Sequence, residues 1–108
     1  MARLTITNLA AADWQVVIED RVNLMLGSTM LNIRRIDIEF ACHGLVDDKF
    51  RTHSCTVVVT EPSGAQLYLR NEQADANEAI DGAVARVRRA VARRMRARLP
   101  RQRHTSAW

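Results

Sequence analysis

The sequence predicts an α+β fold, a two-layer β-α-β-β-β-α sandwich with both helices on one face of a four-stranded sheet. Four segments alternate apolar and polar residues, the two-residue period of a strand with one buried face and one solvent-exposed face. Two further segments repeat apolar residues every three or four positions, which is the period of an amphipathic helix. Each helix needs apolar cover, and one apolar face of the sheet can supply it.

A first strand and a first helix are predicted near the N-terminus. Residues 3–9 alternate, and residues 13–26 have helical spacing. The apolar positions of this helix are Trp14, Val17, Ile18, Val22 and Met25. Asp13 is a suitable N-cap and Gly27 a suitable stop, so residues 28–32 are expected to form a short connection.

Three more strands follow at the spacing of hairpins and predict an antiparallel meander. They are residues 33–42, 53–61 and 65–71, with turn-rich residues 43–52 and a Pro-Ser-Gly turn between them. The side chains expected to point inward are Ile36, Ile38, Phe40, Cys42, Cys55, Val57, Val59, Leu67 and Leu69. If the first two strands are neighbours, the helix between them makes a right-handed crossover.

A second helix is predicted over residues 75–99. Asp75 and Glu78 have the spacing of a capping box, and Pro100 ends the helix. Gly82 lowers the helix propensity, so we expect it to serve close packing against the sheet. The apolar stripe of this helix consists of Ile80, Val84, Val87, Val91, Met95 and Leu99.

Length and composition indicate one folded domain, residues 1–100, followed by a flexible basic tail, residues 101–108. The 108 residues are 47% apolar, which suits a globular core. No apolar run reaches the roughly 18 residues of a membrane helix, and the N-terminus lacks a signal-peptide pattern. Cys42 and Cys55 are too few for a disulfide framework. We therefore expect a cytoplasmic protein with reduced cysteines and no membrane association.

Positive charge is concentrated at the C-terminus. Residues 1–85 hold seven basic and twelve acidic residues, whereas residues 86–108 hold nine arginines and no acid. On a helical wheel of about 100° per residue, four arginines form a ridge opposite the apolar stripe and three more flank the stripe. The ridge consists of Arg86, Arg89, Arg93 and Arg96, and the flanking residues are Arg88, Arg94 and Arg98.

Two interpretations of this ridge remain open. A charged helix face commonly serves only solubility. Such a face usually contains both acidic and basic residues, because opposite charges four residues apart stabilise a helix. Unmixed arginines repel one another, and binding to a polyanion such as nucleic acid would remove that repulsion. The pattern therefore indicates either a solvated face or a polyanion-binding face.

The chain also resembles a known family over residues 3–98. Residues 76–94, ANEAIDGAVARVRRAVARR, are similar to the Ala-Ile-Asp helix start and basic continuation of one family. That family comprises the ribosome hibernation promoting factors and ribosome-associated translation inhibitors, also called sigma-factor modulation proteins. Residues 18–26, IEDRVNLML, resemble its first helix more weakly. The segments IRRIDIEF and CTVVVTEPSGAQLYLR match its sheet.

The resemblance implies a bacterial stress-response factor that binds ribosomal RNA of the small ribosomal subunit in the tRNA channel and inhibits translation. Carried over to this chain, the RNA-binding residues are Arg86, Arg88, Arg89, Arg93, Arg94 and Arg96. Family members often have a basic first helix too, and this chain departs from them there, with three acidic residues against Arg21 alone. We expect a short form without the C-terminal extension by which long members bring two ribosomes together.

The remaining residue clusters do not indicate an enzyme. Two cysteines and two histidines near one predicted hairpin end would suit zinc; they are Cys42, His43, His53 and Cys55. Strand alternation turns His43 away from the others, so two small core cysteines are the preferred interpretation. We expect no catalytic residue, cofactor, metal or small-molecule substrate. The alternative function is a non-ribosomal protein-interaction module of the same fold whose arginines are only solvated. The oligomeric state is left open.

Overall fold

The computed structural model describes residues 2–10, 12–44 and 51–98, and its elements follow the predicted order. The strands are β1 (Arg3–Asn8), β2 (Arg35–His43), β3 (Thr52–Thr60) and β4 (Gln66–Gln73). The helices are α1 (Gln15–Leu26) and α2 (Ala76–Arg98). A 3₁₀ helix (Gly27–Asn32) takes the place of the short connection that the sequence predicted after α1.

The four strands form one mixed sheet in the order β1-β2-β3-β4. β1 and β2 are parallel, with Ile6 opposite Ile38. β2, β3 and β4 form the predicted antiparallel meander, in which Val57 lies opposite both Ile38 and Leu69. Parallel neighbours need a crossover connection, and α1 with the 3₁₀ helix provides it.

The ends of α1 differ slightly from the prediction. The helix begins at Gln15, two residues after the expected start, and Trp14 occupies the N-cap position. Asp13 still serves the helix start, because its Oδ1 accepts a hydrogen bond from the Gln15 N–H at 2.9 Å. Gly27 ends the helix with a φ of +47°, a conformation that favours glycine. Its position as the stop is confirmed.

The start of α2 follows the sequence closely. Asp75 Oδ1 accepts hydrogen bonds from the N–H groups of Asn77 at 2.7 Å and Glu78 at 3.4 Å. These bonds satisfy two of the donors that a helix leaves unpaired at its N-terminus. Within the described residues, only this half of the predicted capping box forms.

Both helices pack on the same face of the sheet, as predicted. The sheet contributes Ile36, Ile38, Phe40, Cys55, Val57 and Val59 to the core, and the helices contribute chiefly Ile18, Val22, Leu26, Ala79, Ile80, Ala83, Val84 and Val87. Phe40 is fully buried, and the ring of Trp14 lies 5.6 Å from the Phe40 ring between centroids. Leu67 and Leu69 are only partly buried, since β4 is an edge strand.

The buried stripe of α2 is not centred where the apolar pattern placed it. Four alanines are buried in it besides the predicted valines; they are Ala76, Ala79, Ala83 and Ala90. Their inclusion moves the middle of the stripe by roughly 70° from Val84, toward Ala83 and Val87. Met95 was predicted as a core residue but is 39% exposed. The last described turn of α2 therefore lies beyond the core.

Several sequence predictions fall outside the described residues. They concern residues 45–50 of the predicted turn-rich connection, the side chain of Arg98, Leu99, Pro100 and the tail at residues 101–108. Among the helices that are described, none combines the length and apolar character needed to cross a membrane.

Candidate nucleic-acid interface

Four arginines of α2 point away from the core toward solvent. They are Arg88, Arg89, Arg93 and Arg96, and we call them the arginine face. Measured from the middle of the buried stripe, Arg89 and Arg96 lie almost opposite it and the other two lie on either side. Arg89 and Arg93 are four residues apart, where like charges weaken a helix. No acidic residue follows Asp81 in the described part of α2 to offset them.

The arginine face contains a shallow hollow. Arg89, Arg93 and Arg96 line it together with Ala92, and its volume is about 180 Å³. A guanidinium group carries five N–H donors in a rigid fork that matches the oxygens of a phosphate. Three such groups around a shallow surface suit a phosphate of an extended polymer better than an enclosed small molecule.

Arg86 lies at the margin of this surface and contacts the sheet. Its Nη1 donates a hydrogen bond to the backbone carbonyl of Arg70 in β4 at 2.7 Å. The guanidinium is therefore held over the edge strand, with part of its donor set already used. The sequence placed Arg86 on the ridge because it lies opposite Val84 on the helical wheel. The buried stripe of the structure is centred elsewhere, and this moves Arg86 to the margin.

Arg94 projects from the core-facing side of α2, where the sequence placed it on a flank. Its Nε and Nη2 lie 2.8 Å and 2.7 Å from Oε2 of Glu61, which follows β3. Glu61 is only 3% exposed, so the ion pair neutralises a buried carboxylate. The hydrogen bond and the charge of Glu61 raise the pKa of Arg94 above its ordinary value. The geometry thus gives Arg94 an intramolecular partner, whereas the arginine face has no acidic partner among the described residues.

Arg21, the basic residue of α1, is also engaged within the molecule. It forms an ion pair with Asp81 of α2, and its Nη2 donates to Oδ1 of Asn77 at 3.1 Å. Glu19 and Asp20 of α1 are exposed. The exposed surface of α1 is consequently acidic, which agrees with the acidic residues that the sequence places in this helix.

Sequence reasoning overlooked a second group of arginines, which consists of Arg3, Arg34 and Arg35. They line a depression of about 460 Å³ where β1 and β2 begin, together with Asp37, Thr60 and Gln66. Arg3 lies directly opposite Arg35 in the parallel pair. The sequence offered one signal for this group: Arg3 begins the first predicted strand, Arg35 lies near the start of the second, and both are on the polar side of the alternation.

The two cysteines have different environments. Cys55 is buried as predicted, and burial raises the pKa of its thiol to about 12. Cys42 was also expected to be buried but is only partly so, and Arg51 Nε donates to its Sγ at 2.7 Å. The difference follows from position, since Cys42 lies at the last residues of β2.

The neighbouring histidines make structural contacts. His53 stacks on Phe40 with ring centroids 5.9 Å apart, and its Nδ1 donates to the Ala74 carbonyl at 3.0 Å. His43 Nε2 lies 2.9 Å from Ser54 Oγ, on the other side of the sheet from His53. In the described ranges, no three Cys, His, Asp or Glu side chains are grouped so that they could hold a metal ion.

Comparison with known proteins relates this chain to solved structures, including one from Coxiella burnetii and one from Thermus thermophilus. No family model matches the chain, and no curated protein matches it. A ribosomal subunit interface protein from Coxiella burnetii is 15% identical, with a TM-score of 0.67 over 88% of this chain and 98% of that one. The N-terminal domain of Protein Y from Thermus thermophilus is 22% identical, with a TM-score of 0.59 over 82% of this chain and 97% of that one. At these identities the likeness establishes a shared fold, and the fold expected from the resemblance is confirmed.

Proposed function

We propose that this protein is a cytoplasmic, ribosome-associated translation inhibitor of the hibernation-factor type. It binds ribosomal RNA of the small subunit in the tRNA channel, and α2 is the element that holds the RNA. The observation that carries this proposal is the arginine face, four exposed arginines without acidic neighbours on the described part of their helix. The fold that the chain shares with a ribosomal subunit interface protein supports the choice of the ribosome as the source of the RNA.

The physical argument is electrostatic. Uncompensated arginines on one rigid helix repel one another, so the free protein is destabilised relative to a state in which phosphates neutralise them. A nucleic-acid backbone supplies phosphates at regular spacing, and guanidinium groups bind them in two-pronged contacts. Such contacts fix position without reading sequence. A protein held this way in the tRNA channel excludes tRNA and messenger RNA by occupying their space.

The arginines have unequal roles in this proposal. Arg89 and Arg96 make the central phosphate contacts, since they lie farthest from the core. Arg88 and Arg93 extend the contact to both sides, and Arg86 adds the donors that the Arg70 carbonyl leaves free. Arg94 stays on Glu61 and acts by holding the last turns of α2 in place. This binding needs no cofactor and no catalytic residue.

A second candidate function is supported by the surface of α1. Val16 and Leu24 are 64% and 80% exposed, and they lie on a helix whose exposed charges, Glu19 and Asp20, are acidic. Exposed apolar side chains among charges of one sign are typical of protein-interaction surfaces. In this alternative the chain is a non-ribosomal interaction module, and the exposed arginines of α2 serve only its solubility.

Co-sedimentation with small ribosomal subunits over a range of salt concentrations tests the proposal. The variant R88Q/R89Q/R93Q/R96Q should fold normally, because none of the four side chains is buried. Its affinity for the subunits should fall, and the slope of log affinity against log salt should decrease by about 0.9 for each duplex phosphate that the variant no longer neutralises. In a cell-free translation reaction, the variant should inhibit less than the wild type does at the same concentration.

Two control variants distinguish loss of the arginine contacts from loss of stability and from a contact made by α1. V87A removes buried volume and should lower the melting temperature while the folded fraction keeps its affinity. V16Q/L24Q alters only the exposed apolar side chains of α1 and should leave ribosome binding unchanged. Unchanged affinity and salt slope in the folded four-Gln variant would reject the arginine face as the binding surface. Absence of co-sedimentation in the wild type would favour the non-ribosomal interaction module, and its loss in V16Q/L24Q alone would place the ribosome contact on α1 and reject the arginine face.

A further inference from the structure

One end of the sheet brings together arginines from separate parts of the chain. Arg3, Arg35, Thr60 and Gln66 form the first rank across all four strands. Residues in one rank project from the same side, here the side without helices, and neighbouring strands lie about 4.8 Å apart. Arg34 precedes β2 beside this rank, since its carbonyl accepts the Arg3 N–H at 3.0 Å and its own N–H donates to the Thr60 carbonyl at 2.8 Å.

The charges at this end are only partly balanced. Arg35 Nε donates to Asp37 Oδ1 at 2.9 Å, so one of the three guanidinium groups has a carboxylate partner. Within the described ranges, Arg3 and Arg34 have none. Like charges placed directly opposite in a sheet are destabilising, and Arg3 and Arg35 are such a pair. Two uncompensated positive charges therefore face a depression of about 460 Å³.

Neutral groups of the same depression complement these cations. Gln66 Nε2 donates to Thr60 Oγ1 at 3.3 Å, so the Thr60 hydroxyl can use its own hydrogen as a donor to another group. The depression thus combines guanidinium forks with a hydroxyl donor, a set that suits the oxygens of a phosphodiester. The Asp37 carboxylate is paired with Arg35. The guanidinium groups of Arg3 and Arg34 therefore remain available to bind an anion in the outer part of the site.

The same end of the sheet meets the C-terminal turns of α2. Thr60, whose carbonyl binds Arg34, is followed directly by Glu61, and Glu61 holds Arg94. The depression opens on the side without helices, and the arginine face lies on the helical layer. Basic groups consequently occur on both layers at one end of the molecule.

We propose that Arg3, Arg34 and Arg35 form a second phosphate-binding site, which holds a segment of RNA backbone distinct from the segment held by the arginine face. This inference rests on the proposed function, because it takes the RNA bound by α2 as the ligand of both surfaces. Two backbone contacts on opposite layers fit a folded RNA, whose strands can pass on both sides of the end of the sheet.

The test compares four variants with the wild type by co-sedimentation with small ribosomal subunits across a salt series: R3Q/R34Q, R3Q, R70Q and the four-Gln variant of α2. R3Q/R34Q removes the two unpartnered charges and leaves the Arg35–Asp37 pair intact. R70Q is the control for R3Q, since Arg70 projects from the same face but is paired with Glu72 at 3.1 Å. We expect R3Q/R34Q to weaken binding by roughly tenfold, as loss of charged hydrogen bonds does. R3Q should lower the salt slope and R70Q should not.

The outcomes distinguish this site from the proposed function. Weakened binding by the four-Gln variant of α2, with wild-type affinity and slope in R3Q/R34Q, overturns the second site and leaves the proposed function standing. Wild-type binding by both overturns both. A melting temperature that inorganic phosphate raises in the wild type and not in R3Q/R34Q, with RNA binding unaffected, assigns the depression to small anions and overturns the RNA assignment.

Discussion

Asn71 of β4 occupies the space beside Gly82 of α2 that a larger residue would fill. The Asn71 side chain is buried, and its Nδ2 donates to the carbonyls of Glu78 and Ala79, both at 3.1 Å. A Cβ atom on residue 82 would lie 2.2 Å from that Nδ2. The glycine predicted to allow close packing does so for a hydrogen bond between strand and helix.

We expect G82A to lower the free energy of unfolding, although alanine is the better helix former. The propensity gain is about 1 kcal/mol, whereas overpacking in a core costs about 1–3 kcal/mol and the Asn71 hydrogen bonds would also be strained. Urea unfolding followed by circular dichroism measures the change. In an N71A background the clash is absent, so there G82A should be neutral or stabilising. An equal effect of G82A in both backgrounds would show that the contact is not the cause.

R94Q should destabilise the protein more than R93Q does. Both substitutions remove one positive charge from α2, but only R94Q takes away the guanidinium that lies on the buried Glu61 carboxylate. The double variant E61Q/R94Q should recover part of the stability, because it also removes the buried negative charge that Arg94 offsets. Thermal unfolding of the variants compares these effects. Equal melting temperatures for R94Q and R93Q would contradict the structural role assigned to Arg94.

The thiol of Cys55 should be unreactive in the folded protein. Burial raises its pKa from 9.0 to about 12, and reagents attack the thiolate. At pH 8, a thiol reagent should modify one cysteine of the native protein and both cysteines after denaturation. The variant C42S should then show no rapid native reaction. Rapid native labelling of C42S would indicate that Cys55 becomes accessible without global unfolding.

Cys55 should also make stability depend on pH in the alkaline range. Between pH 9 and about 12 the thiol ionises in the unfolded chain but stays protonated in the folded one. The folded state then binds more protons, so its stability falls as pH rises, by at most about 1.4 kcal/mol per pH unit from this group. Below pH 9 this contribution is constant. Urea unfolding at several alkaline pH values should give a flatter dependence for C55A than for the wild type.

Arg21 should stabilise the contact between the two helices modestly. Its side chain is 31% exposed and that of Asp81 is 46% exposed, so the ion pair is worth about 1 kcal/mol or less. R21Q should lower the urea midpoint slightly and leave RNA affinity unchanged, since Arg21 already has partners on α2. D20N is a suitable comparison, because Asp20 is exposed on the same helix. A loss of RNA affinity in R21Q with full stability would mean that Arg21 leaves Asp81 to bind RNA.

The secondary structure and the layer arrangement could be predicted because periodicity is a local property. Alternation at Ile36, Ile38 and Phe40 identifies the buried face of β2 without knowledge of its neighbours. Asp75 and Gly27 mark helix ends through groups a few residues away. The charge imbalance of α2 is likewise visible in the residues themselves, so a basic helix face could be predicted from the sequence.

The rotation of α2 on the sheet and the partners of individual arginines could not be predicted in this way. Small alanines such as Ala83 and Ala90 let α2 approach the sheet, and apolar periodicity gives such residues little weight. The resulting rotation turns Arg94 toward Glu61, which is 33 residues away in the sequence. Strand register likewise sets Arg3 beside Arg35. The sequence by itself determined which elements form and which helix carries the charge. Only the tertiary structure decided which arginines are free, because that depends on contacts between residues far apart in the chain.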